Sequence, residues 1–118
     1  MLARRDSPRD DASALTRSVS LFAALGDPTR LHLVTRLGSE GRLSIARLTD
    51  GTDVTRQAIT KHLRVLAAAG LARGVRQGRE QIWELDAARL DEARGSLELI
   101  SRRWDEALAR IKTAVEER

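Results

Sequence analysis

Between Thr55 and Gly70, Ala58, Ile59, Leu63, Leu66 and Ala69 recur at helical spacing, with His62 and Val65 at the margin of the stripe. Thr55 suits the cap that opens such a helix, and Gly70 the left-handed residue that closes it. On the opposite side, Gln57, Thr60, Lys61 and Arg64 fall at i, i+3, i+4 and i+7, with Arg56 beside them and no acid among them. One side therefore needs a core, while the other is free to donate hydrogen bonds. Ahead of this helix, residues 44–50 read as a short helix capped by Ser44 with Ile45 and Leu48 inward, and residues 51–54 as a tight turn. The three pieces make a helix-turn-helix. Beyond Gly70, residues 71–76 and 80–85 read as two strands around a Gly-containing turn, with Leu71, Val75, Trp83 and Leu85 expected on one face. A hairpin in that place is a wing.

The flanking segments supply scaffold. Residues 12–25 predict a helix with Leu15, Val19 and Phe22 on one side and Leu21 and Leu25 toward another, more apolar surface than one contact needs. Gly26-Asp27-Pro28 stops that helix and starts the next, because Asp suits the N-cap and Pro the first helical position. Leu31, Val34 and Leu37 then point to the core, with Gly38 and Gly41 bracketing the exit. Asp86 opens a last helix running almost to Arg118, with an irregularity expected near Gly95. Its Leu90, Ala93, Leu97, Ile100, Trp104, Leu108, Ile111 and Val115 form a seam too long for this domain to cover alone. The expected fold is mainly α with a small β-hairpin, a winged helix-turn-helix. It is expected to dimerise through its terminal helices, using Leu15, Val19 and Phe22 with Leu97, Ile100, Trp104, Leu108 and Ile111. Residues 1–11, charged and with little to bury, are expected to form a disordered tail ahead of a single domain over 12–118.

Net charge is only +4, so bulk charge argues weakly for nucleic acid; its distribution argues better. From Thr55 to Arg79 the chain carries Arg56, Lys61, Arg64, Arg73, Arg76 and Arg79 and not one Asp or Glu, the kind of block that neutralises phosphates. Absence of cysteine excludes disulfides, thiolate metal sites and thiol redox sensing. With no Tyr, two His in unlike settings and no Gly-rich phosphate loop, the sequence offers no nucleophile-base pair and no cofactor or metal site, so an enzyme is not expected. No apolar run is long enough for a membrane span, and the charged first residues do not suit a signal peptide, which makes the cytoplasm the expected location.

Several stretches resemble a known family. Residues 22–31 (FAALGDPTRL), residues 56–66 (RQAITKHLRVL), Ala69-Gly70-Leu71 and Gln77-Gly78-Arg79 are similar, in the same order, to the ArsR-type winged-helix repressors, over roughly residues 15 to 90. The resemblance implies a dimeric bacterial transcription factor with the second helix of the motif in the major groove. Arg56 then suits a fork to guanine and Gln57 one to adenine; Thr60 and Lys61 suit bases or phosphates, and Arg64 a phosphate. Thr55 at the cap, and Arg76 and Arg79 in the wing, suit the DNA backbone or the adjacent minor groove. His62 matches a structural histidine of the family. Metal-sensing members carry a Cys-x-Cys pair where this chain has Ser44 and Ala46, and ligands on a last helix that here holds no His, so the metal response is not carried over. The expected function is sequence-specific DNA binding, as a repressor on an inverted repeat, with the effector left open. The rival expectation is a protein-interaction module that uses the long last helix and keeps the motif as scaffold.

Overall fold

Capping chemistry sets most helix boundaries. In the computed structural model, which describes residues 8–117 and side chains from residue 12 on, the elements run α1 (Pro8–Arg17), α2 (Val19–Leu25), α3 (Pro28–Glu40), β1 (Leu43–Ser44), α4 (Ile45–Thr49), α5 (Arg56–Ala68), β2 (Ala72–Gln77), β3 (Glu80–Leu85) and α6 (Ala87–Glu116). Asp27, Ser44, Thr55 and Asp86 each accept a backbone N–H three residues on, as caps of α3, α4, α5 and α6. At the far end of α5 the Leu71 N–H bonds the Leu66 carbonyl and the Gly70 N–H that of Ala67, with Gly70 at φ +81°. This is the paired closure that favours glycine after a helix.

The core forms where α2, α3, α4 and α5 meet the root of the sheet. Leu21, Leu33, Leu37, Leu48, Ile59, Leu63, Leu66 and Leu71 are buried there. The α5 stripe is thus the inner face that its spacing predicts. In α3 the inward side is Leu33 and Leu37, while Leu31 is 52% exposed; the core-facing stripe is rotated from the one expected, and the helix runs through Gly38 to Glu40.

The sheet has three strands in the order β1-β3-β2, both pairs antiparallel. The strand β1 is additional to the expected hairpin: Leu43 lies opposite Trp83, which binds the entry of the helix-turn-helix to the wing. In the β2–β3 register Gly74 faces Trp83 and Val75 faces Ile82, so Val75 is on the sheet face opposite Trp83 and not beside it as expected.

The terminal helices also differ from expectation. The expected single helix over 12–25 is interrupted at Ser18, whose buried hydroxyl is 2.7 Å from that of Ser96 on α6 and joins the N-terminal segment to the last helix. Helix α1 begins at Pro8, inside the expected tail, and residues 1–7 lie outside the described residues. No irregularity marks Gly95, since α6 is unbroken. Of its expected seam Ala93 is buried and Leu90 and Ile100 are half-buried, whereas Leu97, Trp104, Leu108, Ile111 and Val115 are exposed; the side buried within the chain is Ala93, Ser96 and Leu99, rotated from that seam. At 1.5 Å per residue α6 is about 45 Å long.

Candidate nucleic-acid interface

Fixing α5 at both ends and along its inner face decides what its outer face presents. At its start the Thr55 hydroxyl oxygen accepts the Ala58 N–H at 3.1 Å, leaving its own proton to donate outward. At its end the Arg89 guanidinium, reaching from α6, donates to the Ala69 carbonyl at 3.0 Å. Midway, His62 Nδ1 is 3.3 Å from Arg30 Nη1 and 3.8 Å from the Asp27 carboxylate, so α5 is tied to the first turn of α3. This is the structural role expected of His62. The bonded Arg30 N–H, helped by the nearby His62 and Arg30 charges, holds the Asp27 carboxyl below its usual range.

The first helix of the motif is placed by Arg36, which is bonded to Glu40 at 2.8 Å and reaches the carbonyls of Arg47 and Leu48 at 3.3 and 3.4 Å. Those carbonyls close the last turn of α4, where a cation is favourable. The hydrogen bond between Arg36 and Glu40, with their charge attraction behind it, raises the Arg36 pKa and lowers that of Glu40.

On the outer face Arg56, Gln57, Lys61 and Arg64 are exposed and Thr60 is half-buried. The Thr60 hydroxyl donates to the Arg56 carbonyl at 2.9 Å, so what it offers a ligand is a methyl group and oxygen lone pairs. Between this face and the wing runs an open cleft of about 980 Å³, and its lining includes Arg56, Gln57, Thr60, Lys61, Arg64, Arg76 and Arg79. Seven of the eight residues expected to contact DNA therefore share one concavity, and the eighth, Thr55, caps the helix that forms its wall.

Charge is distributed to match. Among the described residues, Arg56, Lys61, Arg64, Arg76 and Arg79 make no ion pair, whereas Arg73, from the same acid-free block, is bound to Glu84 at 3.2 Å and Asp86 at 3.3 Å. Arg73 is neutralised on the other sheet face and leaves the cationic ridge. The turn of the wing is Gly78-Arg79, with Gly78 at φ +66°, so Arg79 stands at the tip and does not flank the turn as expected. Trp83 is buried on the cleft side, as expected of a packed and not a base-stacked residue, and its indole N–H has no partner there.

Sequence reasoning overlooked other residues of the lining, Ser44, Ala46, Glu80 and Gln81. Gln81 was within reach, since it is two residues before the inward Trp83 on the same strand. Among the described residues, no group of three or more His, Asp or Glu is placed to hold a metal, and no helix is long and apolar enough to cross a membrane.

Residues 25–75 match the family described as a helix-turn-helix domain. A solved ArsR-like transcriptional regulator from Rhodococcus sp. RHA1 superposes with a TM-score of 0.66 at 40% identity, covering 84% of this chain and 92% of that one. The HTH-type transcriptional regulator YuzN of Bacillus subtilis is 38% identical over 69 residues, 53% of this chain and 75% of its own length. The HTH-type transcriptional repressor SmtB of Mycobacterium tuberculosis is 35% identical over 65 residues, 55% of this chain and 47% of its own.

Proposed function

The chain belongs to the ArsR-like family of winged helix-turn-helix transcriptional regulators and is a DNA-binding regulator rather than an enzyme, and we propose that it acts as a cytoplasmic homodimeric repressor that reads an inverted-repeat operator. The observation that carries this reading is the cleft between α5 and the wing, where five cations without acidic partners surround the base-reading Gln57 and Thr60. Cations held apart from carboxylates keep their charge available for phosphate. Helix α5 enters the major groove with Arg56 on guanine, Gln57 on adenine, and Thr60 and Lys61 on bases or phosphates. Thr55 and Arg64 hold phosphates at the two ends of the contact, and Arg76 and Arg79 hold the strand that passes under the wing.

Dimerisation follows from the uncovered seam. Leu97, Trp104, Leu108 and Ile111 are exposed on α6, Val19 is exposed on α2, and Leu15, Phe22 and Ile100 are half-buried. From Leu97 the steps to Ser101, Trp104, Leu108, Ile111 and Val115 alternate four and three, the spacing of a helix that packs on another helix. Two copies related by a two-fold axis would set their recognition helices about 34–36 Å apart, one turn of duplex. Smt-type metal response is not part of the proposal, because Ser44 and Ala46 stand where the metal-sensing pattern needs thiolates.

Gel-shift titration of the full chain against genomic fragments, with and without competitor DNA, tests the reading. Selective binding to a fragment containing an inverted repeat at moderate salt is expected. Binding that competitor abolishes equally for all fragments would overturn it and leave the α6 seam as the docking face of an interaction module.

A further inference from the structure

We propose that Gln81 is a specificity-determining residue that reads base edges in the minor groove beside the strand held in the cleft. The inference rests on the DNA-binding reading above and adds to it the kind of base pair that the wing prefers.

Three observations converge on Gln81. It lies on the cleft face of β3, opposite Arg76 and two residues before Trp83, and it is half-buried. Its carboxamide makes no hydrogen bond among the described residues, so both a donor and an acceptor remain unused at the cleft. It also lies across Gly74. That glycine sits mid-strand with no positive φ, so backbone conformation does not demand it. A Cβ there would run into the Gln81 amide and come within 3.2 Å of the Trp83 ring. Glycine inside a strand weakens it, and often marks a place where something must approach closely. Here the missing side chain leaves room for the Trp83 ring and the Gln81 amide over the backbone of β2.

The chemistry of the neighbours assigns the role. Arg64 on α5 and Arg76 on β2 line the same cleft from opposite sides and suit the phosphates of the strand that runs between them. With α5 in the major groove on one side of that strand, the wing faces the minor groove on the other. Gln81 is neutral, so it gains little from a phosphate compared with the arginines around it. Its NH₂ group matches the adenine N3 and thymine O2 acceptors that line an A·T minor groove, and the exocyclic amine of guanine obstructs that approach. The expected preference is A·T over G·C at the step under the wing.

Duplexes selected by the full chain from a randomised pool supply the probe. At the step protected by the wing, A·T is replaced by inosine·cytosine, which keeps the A·T minor-groove face, or by G·C, which does not. The parent chain is expected to bind the A·T and inosine duplexes alike and the G·C duplex about tenfold more weakly. Gln81→Ala is expected to bind all three alike, with an unchanged far-UV circular dichroism spectrum. Gln81→Glu, equal in shape but without the NH₂ donor, is expected to lose the preference too and to bind every duplex more weakly. Retention of the preference by Gln81→Ala, or indifference of the parent to G·C at that step, overturns this inference and leaves the function standing. Selection of no sequence at all by the parent overturns the function and this inference together.

Discussion

Trp104→Ala gives the most direct test of the dimer. Trp104 is 67% exposed on the part of α6 that projects beyond the core. An aromatic side chain buries roughly 150–250 Å² when enclosed, so on the order of 100–170 Å² of this one is left for a partner. At about 25 cal/mol per Å², full cover is worth roughly 2.5–4 kcal/mol per copy. If pairing covers only half of it, truncation in both copies removes about 3 kcal/mol per dimer, close to a hundredfold in the dimer Kd. Sedimentation velocity over a concentration series reads that shift. The same residue touches none of the buried core, so the monomer's own stability should barely change. The parent's Tm should therefore rise with protein concentration, and the variant's should depend on it far less. A parent that is monomeric at high micromolar concentration, or a Trp104→Ala variant with the parent's dimer Kd, would refute the argument that this surface is covered by a second copy.

Arg56→Ala should cost about 1–3 kcal/mol of operator binding and relax preference at one base pair. Arg79→Ala, at the wing tip, should weaken all sequences alike and lower the slope of log K against log salt by about 0.9 per protomer; binding to a panel of single-base operator variants at several salt concentrations separates the two. For Asp27 the carboxyl is held low in the folded chain, so its contribution is present above the unfolded value near 3.8 and disappears as pH falls through the depressed folded value. Asp27→Asn, which keeps a capping oxygen, should flatten the acid limb of stability against pH, as followed by urea melts from pH 2 to 6. Two Gly→Ala changes should have opposite signs. At Gly95 a Cβ meets nothing within 4 Å in an unbroken helix, and the change should stabilise by roughly 0.5–1 kcal/mol. At Gly70, φ is +81° and the Arg89 guanidinium is 2.8 Å from the added carbon, so the same change should destabilise, as comparison of thermal melts will show.

Local chemistry was readable wherever its cause was local. The four caps and the inner stripe of α5 follow from side-chain type and a 3.6-residue period, and so does the exposure of Arg56, Gln57, Lys61 and Arg64. A fold of this class and the exposed face proposed to read DNA were therefore legible from one chain of letters. Long-range pairing was not. Whether Val75 shares a face with Trp83 depends on where β2 begins, and a strand's facing reverses with a shift of one residue. Whether Arg73 serves DNA depends on Glu84 and Asp86, acids outside the acid-free block that tertiary pairing brings beside it. Likewise the pairing of the Ser18 hydroxyl, at the break between α1 and α2, with that of Ser96, 78 positions away, could not be read from either segment alone. On α6 the turns up to Ile100 pack on the domain through Ala93, Ser96 and Leu99, whereas Leu97 and the apolar residues from Trp104 on stay exposed. Periodicity declares that a face is apolar, but contacts distant in sequence determine what covers it.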